Sequence, residues 1–358
     1  MLEHVVPTEN FKNYPKISII IPARNEEKNI EKSLLSLLQI DYSNKELIII
    51  NDRSSDQTGE ILEKIARTHP DIKIIHNQHL PHDWMGKNYA MHLGAENASG
   101  EWLLFTDADI FYQKDTLAKT MFYALQENCD HITLQPKFNC MSLMFGITMT
   151  VFSTSFALQK KPWRANNPRS TSSMGIGAFN LIRRKAYQAI GGHARIKMNT
   201  DDDLKLGQLI KEKGYKQLLV NGMKYISVNW YATIKEMIHG LEKNSFAICN
   251  YNAMLVIIFL LISGMLYFFP LINFFSANPF VSVINMMIVG FTILLHMRMS
   301  KSLSFHPFYG LMYPLGTFIS MYILLRSMLK ITLSNSVSWR ETCYPLKEVK
   351  KNHVKTKF

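Results

Sequence analysis

The sequence predicts an α/β protein in two parts: a parallel, doubly wound sheet over residues 17–228, then amphipathic and transmembrane helices. Three observations carry this reading. Short apolar runs alternate with helical patterns at about 30-residue spacing, as repeated βαβ units do. Acidic residues stand directly behind several of those runs, where an open α/β sheet binds its ligands. From Met254 onward the chain becomes strongly apolar, in three stretches of roughly the 20 residues that a bilayer crossing needs.

The elements follow in order. Met1 to Tyr14 are polar and contain Pro7, which fits neither a signal peptide nor a span, so 1–16 reads as an N-terminal extension. Ile17–Ile21 is a buried strand ended by Pro22. Asn25–Gln39 reads as a helix, with Ile30, Leu34, Leu37 and Leu38 on one face. Glu46–Ile50 is a second strand, and Ser54, Ser55 and Asp56 are candidate caps for the helix that carries Ile61, Leu62, Ile65 and Ala66. Ile72–Ile75, a helix over Gly86–Ala98 and the strand Trp102–Phe105 continue the alternation. Beyond about residue 130 it loosens. Gly175-Ile176-Gly177-Ala178 suggests a close backbone approach, and Gly191-Gly192 a turn. Thr200-Asp201-Asp202-Asp203 opens a helix ending near Lys213-Gly214. Acids there complement the helix dipole, but one would suffice for that and three stand in a row.

Residues 229–252 carry Trp230, Ile234, Met237, Ile238, Leu241 and Phe246 at helical spacing, and their place before the first span suggests an interfacial amphipathic helix. Residues 253–330 hold the apolar stretches Met254–Phe275, Phe280–Met297 and Phe308–Leu329, and 331–358 form a basic tail. The loop 276–279 is uncharged, whereas Arg298, Lys301 and the tail are basic and belong on the cytoplasmic side. Three full crossings cannot begin and end in the cytoplasm. Pro314 and Gly316 interrupt the third stretch, which is therefore expected to re-enter or lie in the interface. A multi-pass protein of the cell membrane, with its α/β part in the cytoplasm, is the resulting expectation.

The formal net charge of +12 and a pI near 9.4 suit anionic partners such as lipid headgroups or phosphorylated substrates. No basic stripe interleaved with aromatics, no zinc spacing and no helix-turn-helix pattern argues for nucleic acid. Cys129, Cys140, Cys249 and Cys343 are scattered without ligand spacing and read as reduced thiols.

The chemistry concentrates at Thr106-Asp107-Ala108-Asp109, directly behind Trp102–Phe105, with Asp52 ending the second strand in the same way. Two carboxylates one residue apart can present oxygens to one hard divalent cation such as Mg²⁺ or Mn²⁺. The runs Ile19-Ile20-Ile21-Pro22-Ala23-Arg24-Asn25-Glu26-Glu27, Asn51-Asp52-Arg53-Ser54-Ser55-Asp56, Gly86-Lys87, Ala98-Ser99-Gly100-Glu101, Phe105–Asp109 and Asp202-Asp203-x-x-Leu206-Gly207 resemble the family 2 inverting glycosyltransferases. Asp83-Trp84-Met85-Gly86-Lys87 and Trp339-Arg340-Glu341-Thr342-Cys343-Tyr344 further resemble a bacterial membrane subgroup associated with hopanoid and carotenoid (diaponeurosporenoate-type) glycosylation. That tail pattern usually reads Trp-basic-Gly-x-x-Tyr, and Glu341 stands at the glycine's place.

The resemblance implies a GT-A, nucleotide-sugar-binding fold of Rossmann-like type. It places Pro22, Arg24 and Glu26 in the nucleotide pocket, Asp52 on the uracil, Asp107 on ribose and metal, and Asp109 as the direct metal ligand. Lys87 helps hold the diphosphate or order the pocket. Asp203 becomes the catalytic base with Asp202 in support, and Asp201 the helix cap. The implied cofactors are a divalent metal, Mn²⁺ or Mg²⁺, and a nucleotide-sugar donor, UDP-linked. The partners are a lipid acceptor and the bilayer. The Gln-x-x-Arg-Trp motif of processive synthases is missing between 220 and 250, which favours transfer of one hexose over polymerisation. The competing readings are transfer to a polyprenyl phosphate or growing glycan, and a non-catalytic membrane protein that binds nucleotide sugars.

Overall fold

A computed structural model describes Leu2 and residues 14–140, 142–339 and 342–355. In chain order the elements begin β1 (Ile17–Ala23), α1 (Ile30–Leu38), β2 (Lys45–Asp52), α2 (Thr58–Thr68), β3 (Ile72–Asn77), α3 (Gly86–Glu96) and β4 (Trp102–Phe105). β5 (Ile110–Tyr112), α4 (Thr116–Gln126), β6 (His131–Gln135), β7 (Lys137–Phe138) and α5 (Leu143–Lys160) follow. Next come β8 (Asn180–Arg183), α6 (Arg184–Ala189), α7 (Asp202–Glu212), β9 (Gln217–Asn221) and β10 (Ile226–Val228). The remainder is α8 (Ile234–Ile248), α9 (Ala253–Tyr267), α10 (Phe269–Ile272), α11 (Pro279–Ser302), α12 (Phe308–Leu311), α13 (Tyr313–Ser334), the hairpin β11 (Ser336–Trp339) and β12 (Thr342–Pro345), and α14 (Leu346–Asn352).

Two compact units result. One comprises 1–138, 162–228 and 352–354, the other 139–161, 229–351 and 355–358. Two boundaries drawn from the sequence are thereby corrected. Residues 139–161 lie inside the expected 17–228 domain but group with the second unit, because α5 is apolar nearly all round and packs on α13. The expected basic tail is a hairpin and a helix whose end, 352–354, belongs to the first unit.

In the first unit a seven-stranded sheet runs β3-β2-β1-β4-β8-β6-β9, beside a small sheet β5-β10-β7. Ile17, Ile19, Ile20, Ile21, Leu47, Ile48, Ile49 and Ile50 are all buried, as strands covered on both faces must be. β1, β2, β3 and β4 pair in parallel, but β8 is antiparallel to both β4 and β6. The purely parallel sheet expected from the sequence is corrected there. Asn180 pairs with Phe105, so the chain enters β8 at the edge where β4 ends and can only run back. The helix expected from Asn25 begins at Ile30, because Asn25 takes a left-handed φ of 54° and Glu26–Asn29 form a turn.

In the second unit, three helical segments are long and apolar enough to cross a membrane: Ala253–Phe275, Pro279–Ser302 and Tyr313–Ser334. The first is broken at Phe268, before Pro270. Pro314 and Gly316 do not interrupt the third; they sit in its first turn, where proline costs no hydrogen bond, and the helix continues for 22 residues. The interruption expected there is thereby corrected. Gly316 has a packing role, since a Cβ there would meet the Ile147 carbonyl of α5 at 2.9 Å. The interfacial expectation for 229–252 is corrected too: Met237, Leu241 and Phe246 of α8 are buried, and α8 packs on α13, so protein occupies its apolar face. The four cysteines are free thiols.

Gly94 lets α3 lie on β1 and β2: a Cβ there would meet Ile20 Cγ2 at 2.4 Å and Ile50 Cδ1 at 2.8 Å. Gly94→Ala is expected to lower stability by about 1–2 kcal/mol, overpacking outweighing the gain in helix propensity. Denaturant unfolding checks it, and a neutral or stabilising effect would contradict this packing.

Candidate active site

The carboxyl ends of β1 and β2 carry two loops that brace one another. Asn25 Oδ1 accepts the Ser55 N–H at 2.8 Å, and the Asn25 N–H donates to Ser54 Oγ at 3.1 Å. The Glu26 N–H donates to Thr58 Oγ1 at 2.8 Å, the Glu27 N–H to Asp56 Oδ2 at 3.1 Å, and the Gln57 N–H to Glu27 Oε2 at 3.1 Å. Ser54 and Ser55 are therefore braces rather than the caps expected from sequence. Gln57 is the N-cap of α2, and Asp56 Oδ1 accepts the Thr58 N–H at 3.0 Å. The bracing fixes the backbone on either side of Arg24, which is buried one residue past β1.

Asp52, the last residue of β2, is 2% exposed and held on both oxygens. Oδ1 accepts from Arg53 Nε at 3.0 Å and Asn77 Nδ2 at 2.7 Å, and Oδ2 from the second Arg53 nitrogen at 2.8 Å. A carboxylate has about four acceptor positions, so one remains, on Oδ2.

Behind β4, the Asp107 N–H donates to the Gly177 carbonyl at 3.1 Å, tying the acidic turn to the segment that enters β8. Thr106 Oγ1 and Tyr112 Oη both bond the Ala178 carbonyl, at 2.8 and 3.1 Å. Lys87, in the first turn of α3, places Nζ 2.8 Å from Asp107 Oδ1 and 3.4 Å from Asp202 Oδ1. Burial lowers its pKa, but the charges of Asp107, Asp202 and Asp203 outweigh burial and hold it above the ordinary lysine range. Asp109 is relieved too little by its own backbone N–H and by Lys87. Burial, then the charges of Asp107 and Glu26, push its carboxyl up to about 7.

At the start of α7, Asp203 Oδ2 accepts the Gly177 N–H at 2.7 Å and Oδ1 accepts the Leu204 N–H at 2.8 Å. Burial and then the Asp202 charge raise its carboxyl to about 7, against the pull of Lys87 and the Leu204 bond. Asp201 is the N-cap residue of α7, as expected, but its side chain makes no capping bond and stands 3.6 Å from Lys205. The glycine segment fits only because it lacks side chains. A Cβ at Gly175 would meet the Asp203 carbonyl at 1.9 Å, at Gly177 Asp107 Oδ2 at 2.7 Å, and at Gly207 the Met174 carbonyl at 2.3 Å.

Four supports were not legible as site residues. Asn77 shares Asp52 with Arg53. Asn88 Nδ2 donates to the carbonyls of Ile196, Lys197 and Asn199 at 2.7, 3.1 and 2.8 Å, fixing the approach to the α7 acids. Asn199 in turn pairs with Val354 in both directions, at 3.2 and 3.1 Å, and with His353 Nδ1 at 2.9 Å. Beneath the glycines, Gln217 donates to His131 Nδ1 at 2.8 Å and to the Gly207 carbonyl at 3.0 Å, and accepts the Met174 N–H at 2.7 Å. His131 Nε2 bonds Asn180 Oδ1, and burial lowers the imidazole to about 4, so it stays neutral. Of the tail pattern, Arg340 and Glu341 lie outside the described residues, while Tyr344 is buried in the second unit.

The residues suit a divalent cation in one particular way. Among the described residues no group of three or more His, Cys, Asp or Glu forms a ready cage. Asp107 and Asp109 offer instead a carboxylate pair with an unneutralised member, and Mg²⁺-type sites are commonly completed by substrate phosphates and water.

The family model described as glycosyl transferase family 2 matches residues 18–191. The chain is 28% identical over 237 residues to a 4,4'-diaponeurosporenoate glycosyltransferase of Staphylococcus haemolyticus, covering 64% of this chain and 60% of that protein. It is 25% identical over 226 residues to the Staphylococcus aureus protein of the same name, covering 63% and 58%. The chain thus matches somewhat less than two thirds of the length of these relatives. A mannosyltransferase from Pyrobaculum calidifontis, solved with GDP-Man and Mn²⁺, superposes with a TM-score of 0.55 at 18% identity, over 92% of this chain and 90% of that one. The fold is of the GT-A type.

Lys87→Gln removes the cation shared by Asp107 and Asp202, and in metal-free protein it is expected to cost about 2–4 kcal/mol, discounted for partial exposure. Lys87 lowers the Asp109 and Asp203 carboxyls, which stand raised to about 7, so without it those two bind protons still more tightly folded than unfolded. That contribution is present at low pH and lost as pH rises, so the deficit should be largest near pH 8 and shrink toward pH 4. Denaturation of wild type and variant at both pH values checks it; a pH-independent deficit would contradict the assignment.

Proposed function

We propose that this chain, whose residues 18–191 form a family 2 glycosyl transferase domain, moves one hexose from a UDP-sugar to a membrane lipid with inversion at the anomeric carbon. The observation that carries the proposal is the run of Asp107, Lys87 and Asp202, with Asp109 and Asp203 flanking it, at the carboxyl edge of the sheet.

The nucleotide lies over the ends of β1, β2 and β4. Asp52 accepts the uracil N3–H on its remaining Oδ2 position, with Arg53 and Asn77 fixing the carboxylate's orientation. Pro22, Arg24 and Glu26 line the pocket on the β1 side. Asp109 and Asp107 would hold a divalent cation, Mn²⁺ or Mg²⁺, which would supply Lewis-acid neutralisation of the departing diphosphate. Lys87 holds Asp107 and Asp202 in place, and Gly177 lets Asp107 and the Lys87 ammonium approach the backbone.

An inverting transfer is a single displacement. Asp203 takes the proton of the acceptor hydroxyl, the acceptor oxygen bonds to the anomeric carbon, and the bond to the nucleoside diphosphate breaks on the opposite face. Two backbone N–H groups fix the Asp203 carboxylate, and a carboxyl raised to about 7 is matched to proton transfer near neutral pH. The lipid acceptor is supported by three membrane-length apolar helices in the same chain and by the lipid-like substrate in the names of the two staphylococcal relatives.

Membranes containing the protein, given labelled UDP-glucose and Mn²⁺, are expected to yield label in the organic extract that chelation abolishes. With a hydroxyl acceptor, Asp203→Asn should lower the rate by roughly 10²–10⁴. A carboxylic acid acceptor is already ionised near neutrality, with a pKa of about 4, and should lose far less. Full activity of the variant on a hydroxyl would move the base to Asp202. Competition by GDP but not UDP would overturn the uracil assignment at Asp52.

A further inference from the structure

Within the second unit, α8 and α13 line a groove of about 400 Å³ with Glu242, Tyr322, Leu325, Arg326, Leu329 and Lys330. All but Glu242 come from α13, at helical spacing, and make one stripe along it. Glu242, on α8, is buried. Its Oε1 accepts from Arg326 Nε at 3.1 Å and its Oε2 from Lys330 Nζ at 3.0 Å. Arg326 Nη1 also donates to Tyr322 Oη at 3.4 Å.

The cluster is unbalanced in charge and in donors. Two cations face a single carboxylate, which leaves one positive charge in excess. Among the described residues Lys330 donates to Glu242 alone, and Arg326 Nη2 donates to nothing. Those donors are reachable. The Arg326 and Lys330 side chains are 38% and 51% exposed, and Arg326 has no buried unpaired nitrogen, so Nη2 is open to the outside.

The outside of this stripe is apolar. α13 is long and apolar enough to cross a membrane, and a charge on such a helix is costly unless it meets a counter-charge. Lys330 lies one helical turn, about 6 Å, before the end of α13 at Ser334, where long basic side chains reach the headgroup layer of a bilayer. In the other direction along the same stripe, Leu325 and Phe318 are exposed.

We infer that this groove seats one anionic phospholipid of the bilayer, its phosphodiester on Arg326 and Lys330 and an acyl chain along Leu325 and Phe318. A phosphodiester carries one negative charge, equal to the excess, and its oxygens accept from a guanidinium fork and an ammonium together. A zwitterionic lipid brings its own cation and leaves the excess unmet. This site is separate from sugar transfer and goes beyond it.

Purified full-length protein in detergent is titrated with dioleoyl phosphatidylglycerol and, in parallel, with dioleoyl phosphatidylcholine, and bound lipid is counted by native mass spectrometry. The first phosphatidylglycerol is expected to bind roughly 5- to 10-fold tighter than phosphatidylcholine, and excess inorganic phosphate should not displace it. Removing the cations alone would leave Glu242 buried and unpaired, at a cost to folding. The triple variant Glu242→Gln, Arg326→Gln, Lys330→Gln neutralises the cluster as a whole and should bind the two lipids equally. Glu242→Gln alone releases both cations and should tighten phosphatidylglycerol about 5-fold, a gain that a purely structural ion network would not give. Equal binding of the two lipids by the wild type, displacement by inorganic phosphate, or a preference that survives in the triple variant would overturn the inference.

Discussion

The candidate site depends on one ammonium group. Lys87 is the second residue of α3, at the positive end of the helix dipole, where a cation is disfavoured by about 0.3–1 kcal/mol. Nothing in the helix itself explains a lysine there. Asp107 on one side and Asp202 on the other do, and each of these acids comes from a different part of the sheet edge. Remove the cation and the acids that define the site repel one another, so the arrangement of the loops and the charge balance of the site are a single constraint.

That constraint is met only because the backbone comes unusually close. Gly175 and Gly177 thread between the acids of α7 and those behind β4, and Gly207 lets α7 itself settle onto the same segment. A neutral buried network beneath, Asn180–His131–Gln217, holds the far side. With the imidazole kept uncharged by burial, this network positions the glycines without adding another charge to the acids above. The site is therefore stiff in backbone and frustrated in charge, a combination suited to a bound cation and diphosphate.

Much of this was legible in the sequence, for physical reasons. Strands buried on both faces write continuous apolar runs, so β1, β2 and β4 could be read directly, and the acids at their ends followed. Gly175 and Gly177 announced a close approach because glycine is costly elsewhere. What could not be read depends on partners distant in the chain. Asn77, Asn88 and Gln217 look like any polar residue until the fold brings them to Asp52, to the Asn199 carbonyl and to Gly207. The reversed direction of β8 was hidden because a strand of four residues, Asn180–Arg183, carries no mark of its direction. Ser54 and Ser55 misled for the opposite reason: a serine that could cap a helix also braces a neighbouring loop, Ser54 through its hydroxyl and Ser55 through its backbone N–H.

The second unit explains why the third apolar stretch looked imperfect. Its mean hydropathy is 1.2, against 2.6 and 2.0 for the other two, and 39% of its span-length window is buried against 17% and 22%. α13 is thus the most enclosed of the three, and Thr317 and Ser327 are buried on it. Arg326 and Lys330 both reach the buried Glu242 of α8, at 3.1 and 3.0 Å, and Ser327 Oγ accepts the Phe246 N–H at 3.1 Å. Thr317, Ser320, Leu324, Ser327 and Ile331 follow helical spacing, so the face that would be wet on a soluble helix here points inward, while Phe318, Leu325, Leu329 and Leu333 are exposed. Low hydropathy in this stretch records burial among helices rather than a failure to span.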